Sequence, residues 1–276
     1  MRAEFYENFM RLLKHFAVLA FVSALPAVAA EQPFPIKPIR LISSYPPGGG
    51  NDTVARAIGQ RLTEAYGQQV IVDNRPGANG IVACEITARA APDGYTLLMA
   101  SIATHAINPV LYPKIPYDPI RDFASISLLG TTVNILVVHP SIPVKTFKEF
   151  VAHAKAKPGM TYGSNGIGGS QHLAGALFGS TFGLKLTHVP YKGTGPMTND
   201  LLAGQINLSF GNAVGVLQHV KSKRLVALAV TSLKRQASLP DLPAIAEFAP
   251  GFESTSWWGL VGPKAMPPAI VASAQP

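Results

Sequence analysis

Short apolar runs alternate along this chain with segments whose apolar positions recur every three or four residues. The first segment with helical spacing places Val54, Ile58 and Leu62 on one face. The predicted strands are residues 39–43, 70–73 and 95–100, and the predicted helices between them are residues 52–66 and 81–90. Such alternation is typical of α/β folds with mostly parallel strands, so this stretch predicts a βαβαβ unit, the building block of doubly wound sheets.

The same alternation recurs after a long apolar strand predicted at residues 128–138. The later predicted helices are residues 146–155, 170–182, 196–203 and 214–221, and the later strands are residues 187–190, 206–210 and 225–230. After Thr231 the chain is proline-rich and predicted as loop through residue 263. We therefore expect two lobes, residues 31–132 and 133–230, with residues 231–276 returning to the first lobe.

Two glycine-rich turns stand between an apolar run and a helical segment. The first is Tyr45-Pro-Pro-Gly-Gly-Gly-Asn-Asp52, and the second is Tyr162-Gly-Ser-Asn-Gly-Ile-Gly-Gly-Ser-Gln-His172. Glycines let the main chain approach a ligand closely, and a helix N-terminus attracts anions through its free N–H groups and dipole. The pair predicts one anion gripped between two lobes. The alternative is that both are simply tight turns between strand and helix.

The N-terminus has the pattern of a secretory signal peptide over residues 1–30. Arg11 and Lys14 precede an apolar run at residues 16–25, and Ala27-Val-Ala29 follows as a small-residue cleavage site. The run is too short for a membrane span, so an anchoring helix is the weaker interpretation. Because Glu4 dilutes the positive region, Met10 is predicted as the true start.

Composition narrows the class of ligand. There are 23 Lys and Arg against 15 Asp and Glu, a net charge of +8. The basic residues are scattered rather than clustered, which disfavours nucleic acid and leaves either steering of anions or plain solubility. The single cysteine, Cys84, excludes an internal disulfide and is predicted as a small core residue rather than a reactive thiol.

Catalytic and cofactor motifs are missing from the sequence. It contains no Gly-x-Ser-x-Gly elbow, no Gly-x-x-x-x-Gly-Lys-[Ser/Thr] loop and no complete dinucleotide fingerprint. The seven histidines form no metal-ligand spacing. We expect neither metal nor cofactor. His172, in the second turn, is predicted to cap or orient rather than to act as a base.

The motifs resemble those of the Bug family, the periplasmic receptors of tripartite tricarboxylate transporters. The resemblance runs from about residue 35 to residue 268. It is carried by the first glycine turn continued to Arg56 and by Val72-Asp-Asn-Arg-Pro-Gly-Ala-Asn-Gly80, Pro92-Asp-Gly-Tyr-Thr-Leu-Leu98, Pro190-Tyr-Lys-Gly193, Ala203-Gly-Gln-Ile206 and Leu225-Val-Ala-Leu-Ala-Val-Thr231.

The resemblance implies a type II periplasmic binding protein whose two lobes are joined by crossing strands at residues 133–138 and 225–230. Small carboxylates would be held by backbone N–H groups and bridging waters. The implied ligand-binding residues are Tyr45, Gly48, Asn51, Asp52, Ser101, Thr104 and His105 in the first lobe, and Ser164, Gly168, Gly169, Ser170, His172, Gly211 and Asn212 in the second. Arg75 is expected to clamp a loop instead.

The implied function is a non-enzymatic periplasmic receptor, a monomer that delivers its carboxylate to integral-membrane transporter subunits. Two alternatives stay open at this point. One is a carboxylate sensor for a two-component signalling system, and the other is a secreted hydrolase or esterase that uses His172.

Two departures from the family pattern bear on function. Family members have Asp-Asn where this chain has Gly211-Asn212, so we expect a weak preference for amino acids. Family members also continue past Pro267-Pro268 with helices that return to the first lobe, so the chain is expected to be truncated and its first lobe less stable.

Overall fold

A nine-stranded sheet runs through the part of the chain that this computed structural model describes, residues 34–275. The strands are β1 (Ile39–Ser43), β2 (Val70–Asn74), β3 (Thr96–Ser101), β4 (Phe123–Val138), β5 (Met160–Ser164), β6 (Leu186–Pro190), β7 (Leu208–Asn212), β8 (Val226–Val230) and β9 (Thr255–Pro263). Their order is β2-β1-β3-β9-β4-β7-β5-β6, with β8 beside β4. The predicted signal peptide and Met10 start lie outside the described residues.

Helices connect most of these strands. They are α1 (Gly50–Tyr66), α2 (Ile81–Ala88), α3 (Asn108–Leu111), α4 (Phe147–Ala156), α5 (Ser170–Phe182), α6 (Thr194–Leu202), α7 (Ala213–Lys221) and α8 (Pro268–Ser273). α4 begins after Thr146 because a capping box forms there: Thr146 accepts from the Glu149 N–H, and the Glu149 carboxylate accepts from the Thr146 N–H, both at 3.2 Å. Among the described helices, none has the length and apolarity to cross a bilayer.

The first half of the sheet is the predicted βαβαβ unit. β1 lies between β2 and β3 and is parallel to both. Ile42 and Leu98 pack with Cys84 of α2 in a core of fully buried side chains. Burial raises the pKa of the Cys84 thiol to about 12, so the interpretation of this cysteine as a core residue is confirmed.

The second half repeats the design, with β5 parallel to both β6 and β7. Alternate residues of β4 point to opposite faces of the sheet. Leu136 packs into a core with Phe150 and Phe178, whereas Ile135 packs into a separate core with Met197. This half therefore has an apolar layer on each face of its sheet.

The centre of the sheet corrects three predictions. β4 and β9 run antiparallel to their neighbours, so the sheet is not mostly parallel. Residues 255–263, predicted as loop, are β9, which lies between β3 and β4. β8, predicted as a crossing strand at residues 225–230, pairs with the end of β4, and β9 instead pairs with the beginning of β4.

Glycines inside β9 explain why the sequence pattern missed it, since glycine weakens a strand prediction. A Cβ atom at Gly259 would lie 3.4 Å from the carbonyl oxygen of Ser127, an ordinary contact, whereas one at Gly262 would overlap the side chain of Met266. A larger residue at position 262 would therefore require Met266 to move. The lobe boundaries and the effect of the C-terminal departure stay predictions.

Candidate functional site

A narrow cavity lies at the carboxyl ends of the parallel strands in both halves of the sheet. Its volume is about 20 Å³, the room of a water molecule or two. The lining residues are Tyr45, Gly49, Asn51, Ser101, Ile102 and Ala103 from the first half, Asn165, Ser170, Thr194 and Asn212 from the second, and Ser256 and Trp258 from β9. This edge is where open α/β sheets bind ligands.

Four helix N-termini meet at this cavity. Lining residues lie at the starts of α1, α5, α6 and α7, namely Gly49, Ser170, Thr194 and Asn212. None of the four helices has a side-chain hydrogen bond at its N-cap, because three of the N-cap residues are glycines and Asn212 bonds elsewhere. Each helix end therefore brings its partial positive charge and first-turn N–H groups to the cavity.

The two halves are already in close contact around these helix ends. A Cβ atom at Gly49 would lie 3.3 Å from the Cβ of Thr194. One at Gly50 would lie 3.4 Å from the ring of Trp258 and 3.8 Å from the Cβ of Asn212. The glycines of the first turn thus let α1 approach α6 and α7, and a carboxylate fits only when these walls separate.

Asn51 supplies a free hydrogen-bond donor to the site. Its side-chain oxygen accepts a 2.7 Å bond from the Ser43 hydroxyl, and its side-chain nitrogen is buried without a protein partner. A buried amide N–H that lacks an acceptor is costly unless a ligand or water provides one. Asn51 lines the cavity and is only 6% exposed, so bulk solvent does not supply the missing acceptor.

A chain of amides forms the opposite wall. Gln171 donates to the Thr194 hydroxyl at 3.2 Å, and Asn212 donates to the side-chain oxygen of Asn134 at 2.7 Å. The side-chain oxygen of Asn165 is buried and has no protein partner. None of the twelve lining residues is a formally charged type. The wall therefore offers hydrogen bonds and helix dipoles rather than an ion pair.

Tyr45 and Ser101, predicted as ligand contacts, line the cavity. Thr104 and His105, predicted with them, lie behind its wall. The Tyr45 hydroxyl donates to Asn79 at 3.0 Å, and burial raises its pKa far above the usual range, so the phenol is neutral. Thr104 accepts from the Ser101 N–H at 3.0 Å and is fully buried. His105 packs against Phe123 at 4.9 Å between ring centroids, and burial lowers its pKa to about 4.

Gly48 and Asp52, predicted as ligand contacts, do not line the cavity. Arg56 binds the Asp52 carboxylate with two hydrogen bonds of 3.0 Å, and Asn74 and the Gly48 N–H also donate to it. Burial alone would raise the pKa of Asp52, but these hydrogen bonds outweigh burial and lower it. Asp52 therefore holds the turn in shape and occupies the Gly48 N–H. Arg75 pairs with Asp73 at 3.0 Å, in keeping with its expected role as a loop clamp.

Four predicted residues of the second turn shape it rather than line the cavity. The Ser164 hydroxyl, fully buried, lies 2.7 Å from Nε2 of His188. The Gly168 N–H donates to Nδ1 of His172 at 3.1 Å. At Gly169 any side chain would overlap Asn165, so glycine is required for Asn165 to reach the cavity wall.

Gly211, singled out from the sequence as a missing carboxylate, also lies outside the cavity lining. A side chain there would overlap Val216 of α7. A carboxylate at this position would therefore point into the apolar contact with α7. The adjacent Asn212 is the residue that faces the cavity.

Comparison with known proteins places the chain in a family. The sequence profile of the tripartite tricarboxylate transporter family receptor matches residues 54–275. This chain belongs to that family. It is 35% identical to the protein BugT of Bordetella pertussis over 267 residues, which cover 96% of this chain and 82% of BugT. The resemblance predicted from the sequence motifs is thereby confirmed.

Two solved structures show the same fold. The structure of Rpa4515 from R. palustris with adipate is 35% identical, with a TM-score of 0.85, and the match covers 87% of this chain and 81% of that one. MatC from Rhodopseudomonas palustris with bound malate is 30% identical, with a TM-score of 0.81 and coverage of 87% and 83%. The predicted fold class, that of periplasmic solute-binding proteins, is confirmed.

In this family receptor, five of the residues predicted from the sequence line the cavity. The predicted residues that line it are Tyr45, Asn51, Ser101, Ser170 and Asn212. Those left out of the prediction are Gly49, Ile102, Ala103, Asn165, Thr194, Ser256 and Trp258. Gly49 and Asn165 lie inside the two predicted turns, so the turns gave a signal for them. Ser256 and Trp258 belong to the strand β9 that the pattern missed.

Proposed function

We propose that this receptor captures a small organic carboxylate between its two lobes and delivers it to the integral-membrane subunits of a tripartite tricarboxylate transporter. The observation that carries the proposal is the meeting of four uncapped helix N-termini at one cavity whose lining holds no charged side chain. Such a surface attracts an anion and has hydrogen-bond donors for its oxygens.

Several helix ends act together on the ligand. A helix N-terminus stabilises an anion by about 0.3–1 kcal/mol when exposed and by up to roughly 2 kcal/mol when partly buried. The contributions of the four ends and the Asn51 donor favour the same anion, and the lost motion of the ligand and the closure of the lobes offset part of that gain.

Relatives support a carboxylate as the ligand. Rpa4515 is a structure with adipate and MatC is a structure with bound malate, and both ligands are dicarboxylates. For this chain we propose the same chemical class, with neither metal nor cofactor. In residues 34–275, no group of three or more His, Cys, Asp or Glu side chains is placed to hold a metal ion.

The hydrolase alternative finds little support in the site. Ser164 lies beside His188, but it is fully buried and its hydroxyl also donates to the Gly166 carbonyl at 3.1 Å, so a substrate cannot reach it. His172 accepts the Gly168 N–H. We infer a receptor rather than an enzyme. Its export through a cleaved signal peptide over residues 1–30 and its monomeric state are parts of the same proposal.

Intrinsic fluorescence offers a direct test because Trp258 lines the cavity and is 6% exposed. Titration with a panel of organic acids is expected to change this emission with one ligand per chain, and a Trp258→Phe variant should lose the signal. At a hundred times the dissociation constant, a ligand adds about 2.7 kcal/mol of stability, so thermal melts rise by roughly 5–10 °C.

Control ligands and an ester panel distinguish a carboxylate receptor from a hydrolase and from non-specific anion binding. The uncharged diamide of a bound acid should leave emission and melting temperature unchanged, and so should sulfate at the same ionic strength. Turnover of an ester panel at the rate of a hydrolase would overturn the receptor proposal. Absence of binding by every acid in the panel would overturn it equally. N-terminal sequencing of the exported chain tests cleavage near residue 30.

A further inference from the structure

A second, larger chamber adjoins the cavity on one side. Its volume is about 530 Å³, and it shares two lining residues with the cavity, Tyr45 and Asn165. Volumes of this size are typical of sites for small organic molecules, whereas the cavity has the room of a water molecule or two and accepts a carboxylate group only when its walls separate. The two spaces together are therefore arranged like a head site and a body site. We call the larger space the outer chamber.

The outer chamber presents aromatic and apolar surface. Tyr45, Tyr112 and Tyr191 line it, with Ile167 on the second-half side. Two of the phenol groups are engaged, Tyr45 with Asn79 at 3.0 Å and Tyr191 with Asp200 at 2.7 Å. Because their hydroxyls are hydrogen-bonded, these two rings are held in position and present apolar ring surface to a ligand.

Charge separates the outer chamber from a competing outlet. The cavity also shares Ile102 and Ser170 with an open groove of about 670 Å³, but that groove is lined by Glu253, which repels an anionic ligand. The outer chamber is lined by no carboxylate, and its one charged side chain is Lys192, which is exposed. An anion with an apolar body is thus better accommodated on the Tyr45 side.

We propose that the ligand is a carboxylate with an apolar body, either an alkyl chain of about four or more carbons or an aromatic ring, and that this body occupies the outer chamber. The carboxylate lies at the helix N-termini, and the body passes Tyr45 and Asn165. The inference rests on the proposed function and adds the ligand's size and polarity to it. Acetate-sized acids leave the apolar surface of the chamber in water.

The proposal predicts that affinity grows with the apolar body. Each methylene transferred from water to an apolar surface strengthens binding about fourfold. In calorimetric titrations of the full mature chain, affinity is expected to rise along the series acetate, butyrate, hexanoate, with benzoate near hexanoate. Equal affinities for acetate and hexanoate would overturn the inference while leaving the receptor proposal intact. Failure of all four acids, and of dicarboxylates, would instead overturn the proposed function.

Substitutions in the outer chamber test whether the apolar body of the ligand lies there. Ile167 lines the outer chamber but not the cavity and is 54% exposed, so Ile167→Asp should fold. It is expected to weaken hexanoate and benzoate at least tenfold and acetate less than threefold. Ile167→Ala should also weaken hexanoate and benzoate more than acetate, but by a smaller factor. Ile120→Asp, at a residue that is 88% exposed and outside both spaces, is the matched control and should change nothing.

A variant in the open groove tests whether the apolar body of the ligand lies there instead. Leu173 lines the open groove and is 38% exposed. Leu173→Asp is expected to leave hexanoate binding within threefold of the unmodified chain. Selective loss of hexanoate in Leu173→Asp, with Ile167→Asp unaffected, would place the body in the groove and overturn the inference. An equal loss of acetate and hexanoate in Ile167→Asp would also count against it.

Discussion

The hydroxyl of Ser43 lies 2.7 Å from the side-chain oxygen of Asn51 and donates to it, which fixes the orientation of that amide. The oxygen is turned to the end of β1, and the nitrogen is left buried without a protein partner beside the cavity. Ser43 itself is fully buried, so this bond does not compete with bulk water. The pair thus presents an N–H donor, rather than a carbonyl acceptor, to an incoming anion.

This orientation predicts the effect of Asn51→Asp. One carboxylate oxygen keeps the bond from Ser43, while the other replaces the donor with a negative charge that faces the ligand. Loss of a buried donor and gain of a like charge should weaken carboxylate binding by roughly 100-fold or more. Isothermal titration calorimetry with the best-bound acid measures the change.

The control for that change is Asn199→Asp, the same substitution at an exposed residue of α6 that does not line the cavity. It should leave the affinity within about twofold. Binding by Asn51→Asp that equals binding by Asn199→Asp would show that the Asn51 amide faces no ligand.

The sequence pattern predicted regular elements best where strand or helix has clear limits. Predicted residues 39–43 and 170–182 match β1 (Ile39–Ser43) and α5 (Ser170–Phe182) at both ends. β9 was missed because Gly259 and Gly262 weaken a strand prediction. Local pattern could not show the strand, since its partners β3 and β4 come from much earlier in the chain.

Local sequence pattern was also insufficient to predict which residues line the cavity. In the first turn, ligand contacts were predicted at Tyr45, Gly48, Asn51 and Asp52. Tyr45 and Asn51 line the cavity, Gly48 and Asp52 do not, and the unpredicted Gly49 does. Asp52 is engaged by Asn74, which lies 22 residues away in sequence and is brought near by the pairing of β1 with β2. Glycine content pointed to a turn that borders the cavity, but tertiary contacts decide which of its residues have free groups.

Gly49 and Gly48 should separate affinity from stability. A side chain at Gly49 would press on Thr194, and its φ of −97° suits any residue, so Gly49→Val should block the approach of α1 to α6. We expect an affinity loss of roughly tenfold or more with little change in unfolding free energy.

At Gly48 the space is open but φ is +87°, so Gly48→Ala should lower stability by about 1 kcal/mol and leave affinity unchanged. Calorimetry and urea unfolding measure the two effects, and the opposite pattern would contradict the assigned roles.

Acid should destabilise the second turn through His172 and His188. Their rings lie 4.1 Å apart, and His188 bonds Ser164 while His172 accepts from Gly168. Burial, and for His188 also the charge of His172, lowers both pKa values, that of His188 to about 4. Because these pKa values lie below those of the unfolded chain, the unfolded state binds more protons as the pH falls from about 6.5 to 4, and stability is lost in that window.

Urea unfolding at pH 7, 6, 5 and 4.5 measures the loss. Since both rings are only part-buried, we expect a contribution of about 1 kcal/mol after allowing for solvent screening. The His172→Gln, His188→Gln double variant should lose that part of the pH dependence, and His153→Gln in α4 is the control for removing an imidazole. An unchanged slope in the double variant would assign the pH dependence to other groups, among them His105.

Discrimination against amino acids should come from the whole cavity wall rather than from Gly211. The missing side chain of Gly211 would point at Val216, so restoring a carboxylate there does not provide an acceptor in the cavity. The Asn165 side-chain oxygen is a neutral acceptor, but the lining holds no carboxylate at any position, and an ammonium group there meets four positive helix ends. Succinate should therefore bind at least about tenfold more tightly than aspartate in competition against a fluorescent readout from Trp258. Gly211→Asp should lower stability by overlap with α7 without improving aspartate binding, whereas tighter binding of aspartate than of succinate by the unmodified chain would contradict this account of the wall.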